Sequence, residues 1–268
     1  MATLRQTIEA IKSLKIQGAQ EVAEAALLAW AKAKNKNLAT KLLKNVRPTE
    51  PMLFNALDAV NLGISPYKLI KKFEEDRKKI VEIGANLIKN NQTIFTHCHS
   101  STVTEILKFA TAMKKNIHVH NTETRPLFQG RKTAEELAAA GISVCFWIDS
   151  AAFQALKEAD IFLIGADWIS NEGVANKIGS ASFVELANFL KIPIYICTHS
   201  WKYSPKKIII EERNPKEVWP NAPKGIHIHN PAFEIIDFKF IKGIVCEFGI
   251  LKPKEFLKKT NKNKYGRL

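Results

Sequence analysis

Apolar side chains recur at helical spacing through the first ninety residues. Leu4, Ile8, Ile11 and Leu14 share one face, and Gly18 offers a stop. The Ala-rich stretch Val22–Lys34 continues the pattern. Asn45-Val46-Arg47-Pro48-Thr49-Glu50-Pro51 interrupts it, because Pro48 biases Arg47 away from helical backbone angles. Ile70, Phe73, Ile80, Ile83 and Leu87 then mark one face of a long charged helix.

From Asn91 the period changes. Short β-branched and aromatic runs appear at Thr93–His97, Ile117–His120, Val144–Ile148, Ile161–Ile164 and Ile194–Cys197. Helical segments alternate with them at Thr102–Lys114, Thr133–Ala140, Phe153–Lys157 and Asn176–Leu190. Strands alternating with helices predict a parallel sheet covered on both faces, a doubly wound α/β arrangement. The expected organisation is a helical N-terminal domain over residues 1–90 and an α/β domain over residues 91–268 that ends in a basic tail. No G-x-G-x-x-G follows the first strand, so the dinucleotide fingerprint is missing.

Composition narrows the class. A hydrophobic share of 46% and a charged share of 25% describe an ordinary globular chain. No apolar run reaches the roughly 18 residues that span a bilayer, and Met1–Gln6 lacks the layout of a signal peptide. The expected location is the cytoplasm, with no membrane association. Forty Lys and Arg against 26 Asp and Glu leave a net charge of +14, which attracts anions without choosing among them. Cys98, Cys145, Cys197 and Cys246 are too far apart for a C-x-x-C unit, and disulfides are not expected.

Ligands of doubly wound sheets collect at the carboxyl ends of the strands. Three such ends carry chemistry: Cys98-His99-Ser100-Ser101, Asn121-Thr122-Glu123-Thr124-Arg125-Pro126 and Gly165-Ala166-Asp167. Cys145, within an apolar run, reads as core. Cys98 follows its run where a helix begins, a position that lowers a thiol pKa and favours the thiolate. Asp167 either caps a turn or presents its carboxylate to a ligand beside small neighbours. Asn176-Lys177-Ile178-Gly179 reads as a helix start, either a phosphate site or a capped helix with a surface lysine. Arg125 and Arg131 flank Gln129-Gly130, suited to phosphate capture or to pairing with Glu123 or Glu135. The pairs His97/His99, His118/His120 and His227/His229 each put two histidines on one strand face. A zinc site would need three or four of them to converge. They read instead as polar strand termini, with no metal. The tail Lys252–Leu268, with seven Lys or Arg against one Glu, reads as a solvated, frayed end.

Taken in order, Thr96-His97-Cys98-His99-Ser100, Thr122-Glu123-Thr124-Arg125-Pro126 with Gln129-Gly130, Gly165-Ala166-Asp167 and Asn176-Lys177-Ile178-Gly179 resemble the family of sugar-phosphate isomerases and translation initiation factor 2B regulatory subunits. The likeness is greatest to its archaeal ribose-1,5-bisphosphate isomerase branch, with methylthioribose-1-phosphate isomerases second. Asn230-Pro231-Ala232-Phe233 and Glu247-Phe248-Gly249-Ile250 extend it, as do Gln17-Gly18-Ala19 and Arg47-Pro48-Thr49 more weakly.

The resemblance implies a helical domain joined to a Rossmann-like domain, and aldose–ketose isomerisation of a sugar phosphate with no cofactor. Cys98 and Asp167 stand where the isomerases carry their catalytic pair. Gln129, Asn176 and Lys177 match substrate contacts, and Arg47 and Arg125 match phosphate-facing arginines. Where the family carries Arg-Gly-Ala this chain has Gln17-Gly18-Ala19, so one charged contact is lost while the Gly18 and Ala19 amides remain. The implied partner is a phosphorylated sugar, and the implied assembly a homodimer or a hexamer of dimers. The regulatory subunits are the non-catalytic alternative. Nucleic acid is not expected, because no recognition motif accompanies the charge.

Overall fold

The computed structural model describes residues 3–13 and 15–262; Leu14 and the end of the basic tail lie outside them. Five helices come first: α1 (Leu4–Lys12), α2 (Ala19–Lys32), α3 (Lys36–Val46), α4 (Pro51–Asn61) and α5 (Pro66–Leu87). Thr3 caps α1 through a reciprocal pair of hydrogen bonds with Gln6, and Asn35 caps α3 by accepting from the Leu38 amide. Pro51 and Pro66 stand in the first turns of α4 and α5, where a missing amide hydrogen costs nothing. Ile11, Val22, Ala26, Leu43, Leu53 and Leu57 close one apolar cluster among these helices. Ala23, Leu27, Met52, Ala56, Leu69 and Phe73 form another, which reaches Trp201 of the later chain.

There follow β1 (Gln92–Thr96), α6 (Ser101–Ala112), β2 (Ile117–Thr122), α7 (Gln129–Ala139), β3 (Ser143–Trp147), α8 (Ala152–Lys157), β4 (Ile161–Ile164), β5 (Trp168–Ile169), β6 (Val174–Lys177), α9 (Ser180–Phe189), β7 (Ile194–Cys197), β8 (Phe233–Ile236), β9 (Gly243–Cys246), β10 (Gly249–Leu251) and α10 (Pro253–Lys262). Seven strands form one sheet in the order β10-β9-β7-β4-β1-β2-β3. All its pairings are parallel except that of β9 with β10.

Alternation along the central strands fills both faces. Phe95, Phe162, Ile164, Ile194, Ile196 and Ile244 point into a cluster with Ala155, Leu156, Phe183, Val184 and Phe256 of α8, α9 and α10. Ile94, Leu163, Tyr195, Cys197 and Val245 point the other way, against Ile80 of α5 and Val103, Ile106 and Leu107 of α6. The parallel α/β sheet expected from the sequence is therefore present, with one antiparallel strand, β10, added at its edge.

The structure also departs from expectation. Asn176 and Lys177 do not start a helix. They end β6, in a second, antiparallel sheet ordered β5-β6-β8. The helix begins at Ser180 after Gly179, whose φ of +100° suits glycine. Cys145 is exposed rather than core, because β3 is an edge strand whose residues are all exposed or half-buried. The basic tail is helical as far as Lys262, anchored by the fully buried Phe256; residues 263–268 lie outside the described residues.

Candidate functional site

From β1 the chain moves outward in the sheet to β2 and β3, then returns to β4 on the other side of β1. This reversal opens a crevice at the carboxyl ends of β1 and β4, the usual ligand position in such sheets. Cys98 follows β1 and Asp167 follows β4, and both line one cavity of about 230 Å³.

The Cys98 backbone is held in a left-handed conformation at φ +64°, a costly state for a side-chain-bearing residue. Its amide donates to Thr124 Oγ1 at 3.0 Å, and its carbonyl accepts from Thr133 Oγ1 at 2.9 Å. Just before it, His97 Nε2 lies 3.0 Å from the Ile178 carbonyl and Nδ1 lies 2.6 Å from Thr122 Oγ1. A carbonyl can only accept, so Nε2 carries the hydrogen and Nδ1 accepts from the threonine. Burial keeps the His97 pKa well below its ordinary value, and the neutral ring ties β1, β2 and the start of α9 together.

The Asp167 loop is fixed in the same manner. Asn176 Nδ2 donates to the Gly165 carbonyl at 2.8 Å, Lys202 Nζ to the Ala166 carbonyl at 2.7 Å, and the Asp167 amide to the Ala175 carbonyl at 3.0 Å. The small antiparallel sheet thus presents Asn176 and Lys177 to the cavity from the side, both buried.

Electrostatics correct one expectation. Burial pushes the Cys98 thiol up to about 12; Lys177 opposes this, while Asp167 and Asp149 add to it. The residue lies two positions before Ser100, which caps α6, so it stands outside the helix turn whose dipole would favour a thiolate. A thiol so shifted keeps its proton near neutral pH. Burial also raises the Asp167 pKa, against the pull of Lys202, Lys177 and Arg47.

Of the residues singled out in the sequence, Gln17, Gly18, Ala19, Arg47, Cys98, Gln129, Asp167, Asn176 and Lys177 all line the cavity. Gly18 caps α2 at φ +93°, where an added Cβ would collide with the Glu21 carboxylate. The Gln129 Oε1 is buried without a hydrogen-bond partner among the described residues. Arg125 does not line the cavity. Its guanidinium lies over Phe128, 5.0 Å from the ring centroid, and donates to the Val218 carbonyl. Arg131 stacks on the same ring at 3.9 Å, so both arginines after β2 pack on one aromatic side chain.

Glu21, Glu50, Lys132, Lys202 and Arg213 also line the cavity, unforeseen from the sequence. Lys202 lies just past the carboxyl end of β7, and the strand-end rule that exposed Cys98 and Asp167 extends to it. Glu50 carries no such signal, because only the packing of α4 brings it near Asp167.

The paired histidines do not converge. His99 bonds Thr133, and His120 bonds the Ala155 carbonyl. Among the described residues, the three-residue group with metal-ligand spacing is Asp76, His199 and Glu247, away from these pairs. Lys72 already bonds Asp76, and the Ser200 amide already bonds Glu247.

Among the described residues, no helix is long and apolar enough to cross a membrane. The chain is 35% identical to the ribose 1,5-bisphosphate isomerase of Methanocaldococcus jannaschii, over 94% of this chain and 92% of that protein. It is 32% identical to the methylthioribose-1-phosphate isomerase of Thermoanaerobacter sp. (strain X514), over 94% and 88% respectively. The solved structure of the Pyrococcus horikoshii OT3 translation initiation factor eIF-2B superposes with a TM-score of 0.81 at 26% identity, covering 94% of this chain and 98% of that one. Residues 65–253, which include both sheets and the whole run from β1 to β10, match the model of the initiation factor 2 subunit family. With the ordered motifs now gathered on one cavity, the match over most of its length makes this chain a member of that family.

Proposed function

We propose that the protein isomerises an aldose phosphate to its ketose, with ribose 1,5-bisphosphate to ribulose 1,5-bisphosphate as the reaction. The observation that carries this reading is the meeting of Cys98 and Asp167 on one cavity with Arg47, Lys132, Lys177, Lys202 and Arg213. The cations suit a phosphorylated ligand, and the two titratable groups suit proton traffic around the sugar. The names of the relatives support it: ribose 1,5-bisphosphate isomerases are prominent among them, and methylthioribose-1-phosphate isomerases supply the second candidate substrate.

In the reaction the furanose ring oxygen gains a proton, O2 loses one, and the hydrogen on C2 moves to C1 while the anomeric phosphate stays attached. Asp167 as carboxylate takes the O2 proton when the carbonyl forms. Cys98, a neutral thiol with a pKa near 12, is matched to donating toward a ring oxygen that leaves as an alkoxide; this replaces the thiolate form expected from its place in the sequence. The proton on Asp167 then returns to the sulfur, where it is bound more tightly, and the site is restored. In this scheme the hydrogen passes directly from C2 to C1 as a hydride, and no base acts at C2. Arg47 and Lys177 hold phosphate, and the Gly18 and Ala19 amides at the start of α2 add uncharged donors.

The test is incubation of purified protein with α-ribose 1,5-bisphosphate and with methylthioribose 1-phosphate, following ketose formation. Turnover of neither substrate, combined with stoichiometric capture of an initiation factor 2 partner, would move the assignment to a regulatory subunit.

A further inference from the structure

We propose that Glu50 is a substrate-binding residue that meets a phosphate oxygen of the ligand as the neutral acid, donating a hydrogen bond beside Arg47 and Lys202. The proposal rests on the sugar-phosphate reading of the cavity and adds to it a residue that neither the motifs nor the expected catalytic pair include.

Three features of the geometry point this way. Glu50 lines the same cavity as Cys98 and Asp167. Its Oε1 is shielded from water and has no hydrogen-bond partner among the described residues, although buried carboxyl oxygens are ordinarily satisfied. It stands at the N-cap of α4, yet its side chain makes no capping bond. A carboxyl placed there for the helix would accept from a first-turn amide; this one leaves the helix uncapped and keeps an oxygen in reserve.

The charges around it come from four elements. Arg47 at the end of α3 and Lys202 beyond β7 favour its ionised form, while Asp167 beyond β4 and Glu21 in the first turn of α2 oppose it. Burial outweighs them all and lifts its pKa from 4.5 to about 7. Below pH 7 the carboxyl therefore keeps its proton in a cluster whose cations would otherwise claim it as a partner. A neutral carboxyl can donate to a phosphate oxygen, whereas a carboxylate in the same place repels it. The sign follows: binding is strongest below pH 7 and weakens as Glu50 ionises above it.

Inorganic phosphate is the probe, because its binding does not depend on turnover. Its dissociation constant is measured by calorimetry from pH 6 to 8.5 for wild type, Glu50→Gln and Glu50→Ala. Comparing variants at each pH cancels the ionisation of phosphate itself. Glu50→Gln keeps a donor and loses the titration, so the ratio of wild-type to Glu50→Gln dissociation constants rises from about 1 at pH 6 to on the order of tenfold at pH 8.5. Glu50→Ala binds more weakly than Glu50→Gln at pH 6. With ribose 1,5-bisphosphate the same pH trend appears in KM and not in kcat.

A ratio that does not change with pH overturns the proposal, and so does failure of the wild type to bind phosphate at pH 6. If the wild type binds phosphate with the predicted trend but turns over no sugar phosphate, the isomerase reading fails and the Glu50 assignment stands. Should Glu50→Ala fail to fold, the Glu50→Gln comparison decides alone.

Discussion

Gly165 passes so close to Ser100 that a Cβ on the glycine would lie 2.7 Å from the serine Oγ and 2.9 Å from its Cβ. At this contact the end of β4 crosses the start of α6, and it allows Asp167 and Cys98 to share a cavity. Gly165→Ala is expected to destabilise the fold by about 1–3 kcal/mol and to lower kcat, measured by denaturant unfolding and turnover. Adding Ser100→Gly should recover part of both losses, a non-additive pair in a double-mutant cycle.

Asn176 positions Asp167 without being a charged group itself. Its amide donates to the Gly165 carbonyl, and its Oδ1 accepts from the Lys177 amide at 2.8 Å. Asn176→Ala leaves the buried Gly165 carbonyl without this donor, at a cost of about 1–3 kcal/mol. Because the loop carrying Asp167 is released, kcat should fall by on the order of tenfold or more while KM moves less. Equal changes in both would make Asn176 a substrate contact instead.

A neutral Cys98 makes its own chemical prediction. In a Cys145→Ser background, which removes the exposed thiol, the rate of Cys98 alkylation by iodoacetamide should keep rising with pH through pH 10. A thiol with a pKa near 12 reaches no plateau in that range. A plateau near pH 7 would return Cys98 to the thiolate role.

Glu50 couples stability to pH. Its folded-state pKa, about 7, lies above the ordinary 4.5, so the unfolded chain loses this proton first as pH rises. Its contribution to stability is present below about pH 4.5, declines between pH 4.5 and 7, and stays lost above that. The Tm of Glu50→Gln relative to wild type should therefore climb across that window, by on the order of a few degrees. A difference that does not vary with pH would mean that the carboxyl titrates normally.

How far the sequence predicts this site depends on how local each signal is. Cys98 and Asp167 were legible because each follows a short apolar run, and the topology places both runs side by side at the centre of the sheet. Asn176 and Lys177 were legible as ligand-facing residues but not as a strand. Their strand pairs with Phe233 and Glu234, more than fifty residues downstream, and no local period reports such a partner. Cys145 misled because an edge strand can carry apolar residues without burying them. Arg125 lies off the cavity because a nearby aromatic ring, Phe128, takes up its guanidinium. Glu50 left no trace, since its value to the site comes from neighbours on four elements that meet only after folding.

The most direct test uses ribose 1,5-bisphosphate carrying deuterium at C2, followed by NMR in ordinary water with wild type, Cys98→Ser and Asp167→Asn. The account predicts ribulose 1,5-bisphosphate with the deuterium retained on C1 for the wild type, and no ketose from either variant while both stay folded. Absence of ketose with the wild type, loss of the deuterium to water, or undiminished turnover by either variant would contradict it.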